Sequence, residues 1–375
     1  MAYTYRCFGA FRLLLAALVV FQHFSGDLAP DSFAYWLLPY EVGGVAVLVF
    51  FALSGFVITE AVDQIYWNKP LGFLTNRLLR IMPHFIAAVA LSILLHYLAW
   101  ETGTQRLWRS QLSFPFEIAF SLRNLLLNFT DILPLSERFI DYEFLDIVWA
   151  VRVEMAFYLV VFFLLIVSRV RPGRSGLGLA FGAALVPISA IFVMAMHGKF
   201  PGTFTFVPYF VFGAALYFAF QGARAGSCVA VISLLAMVWQ YLAARTTNPL
   251  LATEERAVAT DLVVLALLLS LMIVLARGRI TSFRSIDAYC GNLSYPIYLF
   301  HQNVLVALLI ITAGYSYPVF VLGMLLSVVI AIAAHASIDP LVNKYRDRVR
   351  GRRVNAGYDS HPIAIDVEVV TPDTS

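Results

Sequence analysis

The sequence predicts an all-α, polytopic integral membrane protein, and three observations carry that prediction. Apolar runs near the roughly 20 residues needed to cross a hydrocarbon core recur about ten times. Lys and Arg gather in alternate connecting loops, as they do on the cytoplasmic side of a bilayer. Of the 375 residues, 61% are hydrophobic and only 13% charged, about half the charge of an ordinary soluble domain.

The runs fall at 8–24, 42–61, 81–99, 145–168, 177–196, 203–221, 227–244, 257–276, 292–313 and 318–338. The first follows Arg6 as a signal peptide would, but Arg12 breaks it early and no small-x-small cleavage pattern follows, so it reads as a retained helix. Between the third and fourth runs, "EIAFSLRNLLLNFT" (117–130) reads as an interfacial or re-entrant helix. With the N-terminus inside, the cytoplasmic loops hold Lys69, Arg77 and Arg80, then Arg169, Arg171 and Arg174, then Arg224, then Arg277, Arg279 and Arg284. The opposite loops hold Asp27, Asp31 and Glu41, a mixed stretch around 100–144, Lys199, and Arg245 with "EER" (254–256). One orientation satisfies every loop, and an even number of spans leaves both termini cytoplasmic. Residues 1–340 are expected to form the membrane domain. Residues 341–375 form a tail, basic over "NKYRDRVRGRR" (343–353), then polar, acidic and unpatterned, so disorder is expected there.

Composition excludes other classes. A net charge of +3 is too small and too scattered to imply nucleic-acid binding. Cys7, Cys228 and Cys290 have neither metal-like spacing nor the even count of a disulfide framework, and no metal site is predicted.

Ionisable side chains at membrane depth cost at least a few kcal/mol unless they snorkel or find a partner, so each is a functional candidate. In "FRLLLAALVVFQHF" (11–24), Arg12 and His23 are eleven residues apart. Three helical turns then put both on one face, about 16 Å apart along the axis. Snorkelling accounts for Arg12 alone, and an interfacial position for His23 alone; a common role accounts for the shared face. A neutral imidazole can take a proton from an alcohol at physiological pH, which acyl transfer to a hydroxyl requires.

"NRLLRIMPHF" puts Arg77 and Arg80 at i and i+3 at the cytoplasmic mouth of the third span. Two guanidinium groups there could hold phosphates bidentately or serve as positive-inside anchors. In "VWAVRVEMAFYLVV" (148–161), Arg152 and Glu154 fall on opposite faces, so each needs a partner on another element, or water. Glu154 is either half of a packing ion pair or a carboxylate that orients a histidine. In "GNLSYPIYLFHQNVL" (291–305), Pro296 lies in the first turn of its span, where proline is tolerated, and His301 near the middle is a second site histidine or a packing residue. His84, His96, His197 and His335 are expected near helix ends, and Ser54–Gly55 in a close helix contact.

This ordered set resembles the membrane-bound acyltransferase-3 family, which O-acylates bacterial surface glycans. Arg12 and His23 are similar to its Arg/Lys-x10-His first span. "GGVAVLVFFALSGFVI" (43–58) resembles its glycine-to-FFxLSGF span, "RLLRIMP" (77–83) its RxxR entrance, "VRVEMAFY" (151–158) its SxExxFY segment, and "LSYPIYLFH" (293–301) its SYxxYLxH segment. Arg152 departs from the small polar residue usual there, and one acidic residue stands where many members have two. The resemblance implies a multi-pass protein of the bacterial inner membrane, a cytoplasmic acyl-CoA donor, usually acetyl-CoA, and an acceptor hydroxyl on a glycan or lipid-linked saccharide. It implies His23 as general base, Glu154 as the carboxylate that orients or assists it, and Arg12, Arg77 and Arg80 as holders of the coenzyme phosphates. The rival reading is a secondary transporter using Arg12, His23, Arg152 and Glu154 as a proton or substrate path; no internal repeat of the kind many transporters carry is visible.

Overall fold

The structure is a computed structural model that describes residues 6–30, 33, 40–104, 115–168, 174–247, 255–278, 283–312 and 316–350. Among the described residues every regular element is helical. α1 (Phe8–Asp27) is followed by α2 (Val42–Ala61), which runs on through a π-helical turn at Val62–Tyr66, and by α3 (Pro70–Glu101). Two short helices, α4 (Phe116–Ala119) and α5 (Leu122–Asn128), precede α6 (Val148–Ser168) and α7 (Arg174–Met196). Then come α8 (Val207–Phe220), α9 (Arg224–Thr247), α10 (Glu255–Arg277), α11 (Arg284–Thr312) and α12 (Tyr317–Arg350).

Among the described residues, nine helices are long and apolar enough to span a bilayer, and Phe181–Met196 within α7 is a shorter apolar helix. Each predicted run thus falls on one helix, in order. α4 and α5, with four and seven residues, are too short to cross, as expected for 117–130. The boundaries differ more. α3, α11 and α12 reach 32, 29 and 34 residues because polar ends that hydropathy leaves out continue the same backbone ladder. Pro296 therefore lies inside α11 rather than in its first turn, and α12 passes through Pro340 to Arg350 unbroken. Neighbouring helices in a bundle can satisfy the backbone groups that such prolines free. The same lengthening puts His84 inside α3, where it is buried at an edge-on contact with Tyr295, and not at a helix end. His96 is buried too, its Nδ1 paired with the Ser92 carbonyl oxygen at 2.8 Å. The disorder expected after residue 354 lies outside the described residues.

α1 is the central strut, packed mainly on α11 and α2 and more lightly on α12 and α10. Its first turn is capped from α11, where the Asp287 carboxylate accepts the backbone N–H groups of Gly9 (3.1 Å) and Ala10 (2.8 Å). These are donors that the helix's own carbonyls cannot reach. A Cβ on Gly9 would lie 1.7 Å from the Asp287 carbonyl oxygen, so only glycine permits this approach. Further along both helices, the His23 and His301 rings come within 5.1 Å. Gly9 and Asp287 are 278 positions apart, and so are His23 and His301. α1 and α11 therefore run parallel and in register over about 21 Å.

α2 crosses α8 just as closely. A Cβ on Gly55 would stand 2.1 Å from the Phe210 carbonyl oxygen, and one on Gly213 1.9 Å from that of Ala52. Small residues let such backbones meet in lipid, where no hydrophobic drive pushes helices together. Phe210 then stacks on Phe51 of α2 at 5.0 Å and on Phe157 of α6 at 4.3 Å. At the N-terminal end of α1, Arg6 bonds Glu60 at 3.1 Å and Tyr217 donates to Asp63 at 2.7 Å, fastening the ends of α1, α2 and α8.

At the opposite end, the segment between α5 and α6 is clamped by Arg152. Its guanidinium pairs with Asp131, donates to both Glu143 carboxylate oxygens at 3.0 and 3.2 Å, and lies 3.8 Å from Glu137. Burial pushes the Asp131 carboxyl up to about 6, ahead of the lowering pull of Arg152. Removing Arg152 strands these acids, so Arg152→Leu is expected to cost about 3–5 kcal/mol of stability, read as a lower thermal midpoint in detergent. Asp131 has the opposite sign. Its folded pKa lies above the unfolded 3.8, so its contribution is full below the unfolded value and lost as pH rises through the folded one. Acidifying from about pH 7 to about pH 5 is therefore expected to raise the wild-type midpoint relative to Asp131→Asn.

Candidate active site

Two cavities lie end to end beside α1. The first is lined by Arg12, Arg77, Arg80, Ser54, Glu154 and Tyr158, among others. The second is almost wholly apolar and runs along Leu15, Ala16 and Val19 of α1, Ala46, Val47 and Phe51 of α2, and Ser294 and Tyr298 of α11. Phe50, Glu154 and Tyr295 border both, so the cavities meet at the carboxylate.

The helical repeat explains how the sequence builds this path. On α1, positions 12, 15, 16, 19 and 23 form one stripe, and Arg12 opens the first cavity while Leu15, Ala16 and Val19 line the second. His23 stands one turn beyond. On α11 the stripe is Ser294, Tyr295, Tyr298 and then His301, whose ring is edge-on to His23. α6 runs the other way: Tyr158 lies in the first cavity, Glu154 at the junction, and Ala150 and Val151 in the second. The Tyr298 hydroxyl donates to the Ile147 carbonyl at 2.7 Å, closing α11 onto the turn that leads into α6.

The structure therefore brings Arg12, Arg77, Arg80 and Glu154 into one cavity and holds His23 apart, beyond the second. Among the described residues, none of the three guanidinium groups has a carboxylate oxygen within ion-pairing distance. Arg77 is buried, lies 5.7 and 5.6 Å from the rings of Phe73 and Tyr158, and has an Nε with no hydrogen-bond partner. Glu154 accepts two hydrogen bonds on Oε1, from Ser54 at 3.1 Å and from Tyr158 at 2.5 Å. No hydrogen bond joins it to His23 among the described residues. Three cations facing one carboxylate inside an apolar bundle make a site suited to a multiply charged anion.

His301 is fully buried, and its Nδ1 donates to the Tyr298 carbonyl oxygen at 2.6 Å. That bond fixes the tautomer and leaves Nε2 as an acceptor with no protein partner. Arg152 takes no part in the cavities, its partners being the acids of the preceding loop. Ser54, expected only in a close helix contact, lines the first cavity, and Tyr158, Tyr295 and Tyr298 line one or both cavities without having been singled out by the sequence. The i, i+4 spacing of Glu154 and Tyr158 carried a signal for one of them; the α11 stripe ending at His301 carried it for two more.

Comparison with known proteins gives two findings. Residues 6–336 match the family model of the acyltransferase-3 proteins, described as an acyltransferase domain. An O-acetyl transferase of Shigella phage Sf6 is 34% identical over 95 residues, 24% of this chain and 26% of that protein. The chain is thus aligned with about a quarter of that relative's length. No solved structure matches.

Proposed function

The chain belongs to the acyltransferase-3 family, whose domain it matches over most of its length, and from that premise we propose that it O-acylates a glycan. The donor is a cytoplasmic acyl-CoA, acetyl-CoA being the first expectation. The acceptor is a hydroxyl of a cell-surface glycan or a lipid-linked saccharide at the outer face of a bacterial inner membrane. The observation that carries the reading is the path along α1. Three guanidinium groups facing a single carboxylate lie at one end, a histidine pair at the other, and an apolar cavity between them.

Arg12, Arg77 and Arg80 hold the coenzyme phosphates at the cytoplasmic end. The pantetheine arm lies in the apolar cavity, with its thioester directed toward His23. His23 takes the proton of the acceptor hydroxyl as the oxygen attacks the thioester carbonyl. The tetrahedral adduct collapses with cleavage of the C–S bond, and the imidazolium returns its proton to the departing thiolate. Glu154, which borders both cavities and whose Oε1 is held by Ser54 and Tyr158, assists from the junction as an acceptor for substrate N–H or O–H groups.

The experiment is to supply inverted vesicles carrying the full chain with radiolabelled acetyl-CoA and follow label into the membrane glycan and lipid fractions. Saturable transfer is expected. If neither acetyl-CoA, succinyl-CoA nor a longer acyl-CoA binds the purified protein, the reading fails and a transport role for the same charges takes its place.

A further inference from the structure

The residue that faces His23 has a nitrogen that the protein leaves unused. On α11 the residues lining the cavities, Ser294, Tyr295 and Tyr298, continue one turn further to His301, whose ring stands edge-on to His23 with centroids 5.1 Å apart. His301 is 0% exposed, and its Nδ1 is turned back onto the helix's own backbone, donating to the Tyr298 carbonyl oxygen at 2.6 Å. Nε2 therefore lies on the distal edge of the ring, carries the lone pair, and has no hydrogen-bond partner. Among the described residues, the other rings against it are those of Phe24 and Tyr298, and the Tyr298 hydroxyl is committed to the Ile147 carbonyl. A buried acceptor without a donor destabilises the folded chain, so its place there calls for a reason, and a ligand is one. We propose that His301 is an acceptor-binding residue: its Nε2 takes the hydrogen bond of a second hydroxyl, on the carbon next to the one whose hydroxyl His23 deprotonates. The acceptor is then a saccharide with two free hydroxyls on neighbouring carbons.

The proposal rests on the reading of His23 as general base, and it narrows the acceptor of that reading. Rings this close put both imidazoles within reach of one sugar ring, whose neighbouring hydroxyls lie about a hydrogen-bond length apart. The tautomer divides the work between the two histidines. Because Nδ1 keeps its hydrogen on the Tyr298 carbonyl, His301 accepts a hydrogen bond and stays neutral. In the reaction the attacking hydroxyl gives its proton to His23 as its oxygen forms the C–O bond, the C–S bond breaks, and the imidazolium returns the proton to the thiolate. The second hydroxyl keeps its proton, shared with Nε2, and leaves unchanged, so atoms and charge balance without a further reactant.

The test supplies inverted vesicles carrying wild type, His301→Leu or His301→Gln with labelled acetyl-CoA and follows label into the membrane glycan and lipid fractions. Acetyl-CoA binding and the thermal midpoint are measured on each purified protein. His301→Leu is expected to lower transfer by roughly 10-fold, with binding within about twofold and a midpoint at or above that of wild type, because leucine removes the unpartnered nitrogen. His301→Gln, whose amide oxygen accepts the same bond but takes no proton, is expected to return to within about threefold of wild type. NMR of the labelled saccharide is expected to place the new ester beside a free hydroxyl on the next carbon. An ester with no free hydroxyl on either neighbouring carbon would overturn the proposal, as would wild-type transfer in His301→Leu. Equal loss in the Leu and Gln variants would overturn it in favour of proton transfer by His301, and a lowered midpoint with binding and transfer lost together would assign the residue to packing. If wild type transfers no label from acetyl-CoA, succinyl-CoA or a longer acyl-CoA, the acyltransfer reading itself falls, and this proposal with it.

Discussion

His23→Ala is expected to abolish acyl transfer while leaving acyl-CoA binding intact. In the proposed function His23 is the general base, a role worth about 10²–10⁴ in rate, and alanine at this position would remove it without touching the guanidinium cluster. The separation is structural: His23 lies beyond the apolar cavity, whereas Arg12, Arg77 and Arg80 line the other one. Turnover of radiolabelled acetyl-CoA and calorimetric binding on the same preparation give the two halves of the result. His301 cannot substitute, since its free Nε2 is buried and its Nδ1 is committed to the Tyr298 carbonyl. Equal loss of binding and turnover would mean that His23 shapes the donor site instead.

The double variant Arg77→Ala/Arg80→Ala is expected to do the converse. Hydrogen bonds to charged groups are worth about 1.5–3 kcal/mol each, so losing the two proposed phosphate contacts should weaken donor binding by roughly two to four orders of magnitude. Replacement by Lys should recover only part of this, because an ammonium keeps the charge but not the planar fork that grips two oxygens. Arg77 carries the larger share of the risk to folding, being buried between Phe73 and Tyr158. Arg80→Ala alone, with an unchanged thermal midpoint and weakened binding, separates the loss of a contact from the loss of the helix surface.

How much of this could be read from residues depended on the range of the interaction. The spans were legible because lipid enforces a length and a hydropathy on each, and the stripe from Arg12 to His23 because helical period is local. The lengths of α3, α11 and α12 were not: their polar ends are helical through contacts with neighbours, such as Asp287 on the first turn of α1 and Arg346 donating to Asn76 at 3.3 Å. Arg152 and Glu154 were correctly kept apart by their spacing, but their partners, Asp131 and Glu143 for one and Ser54 and Tyr158 for the other, include residues up to a hundred positions away. The approach of His301 to His23 depends on the parallel register of α1 and α11, which Gly9 permits through a contact invisible in either segment alone.

The central claim is that the thiol end of the coenzyme runs along α1 from the guanidinium cluster toward His23. Val19 lines the apolar cavity between them, while Leu14 on the other side of the helix is 42% exposed. Cysteine introduced at either position, with Cys7, Cys228 and Cys290 changed to Ser, can form a mixed disulfide with coenzyme A disulfide. The account predicts coupling at Val19→Cys, suppressed by acetyl-CoA and by Arg77→Ala/Arg80→Ala, and little at Leu14→Cys. Equal coupling at both positions, or coupling at Val19→Cys that survives loss of the two arginines, would contradict it.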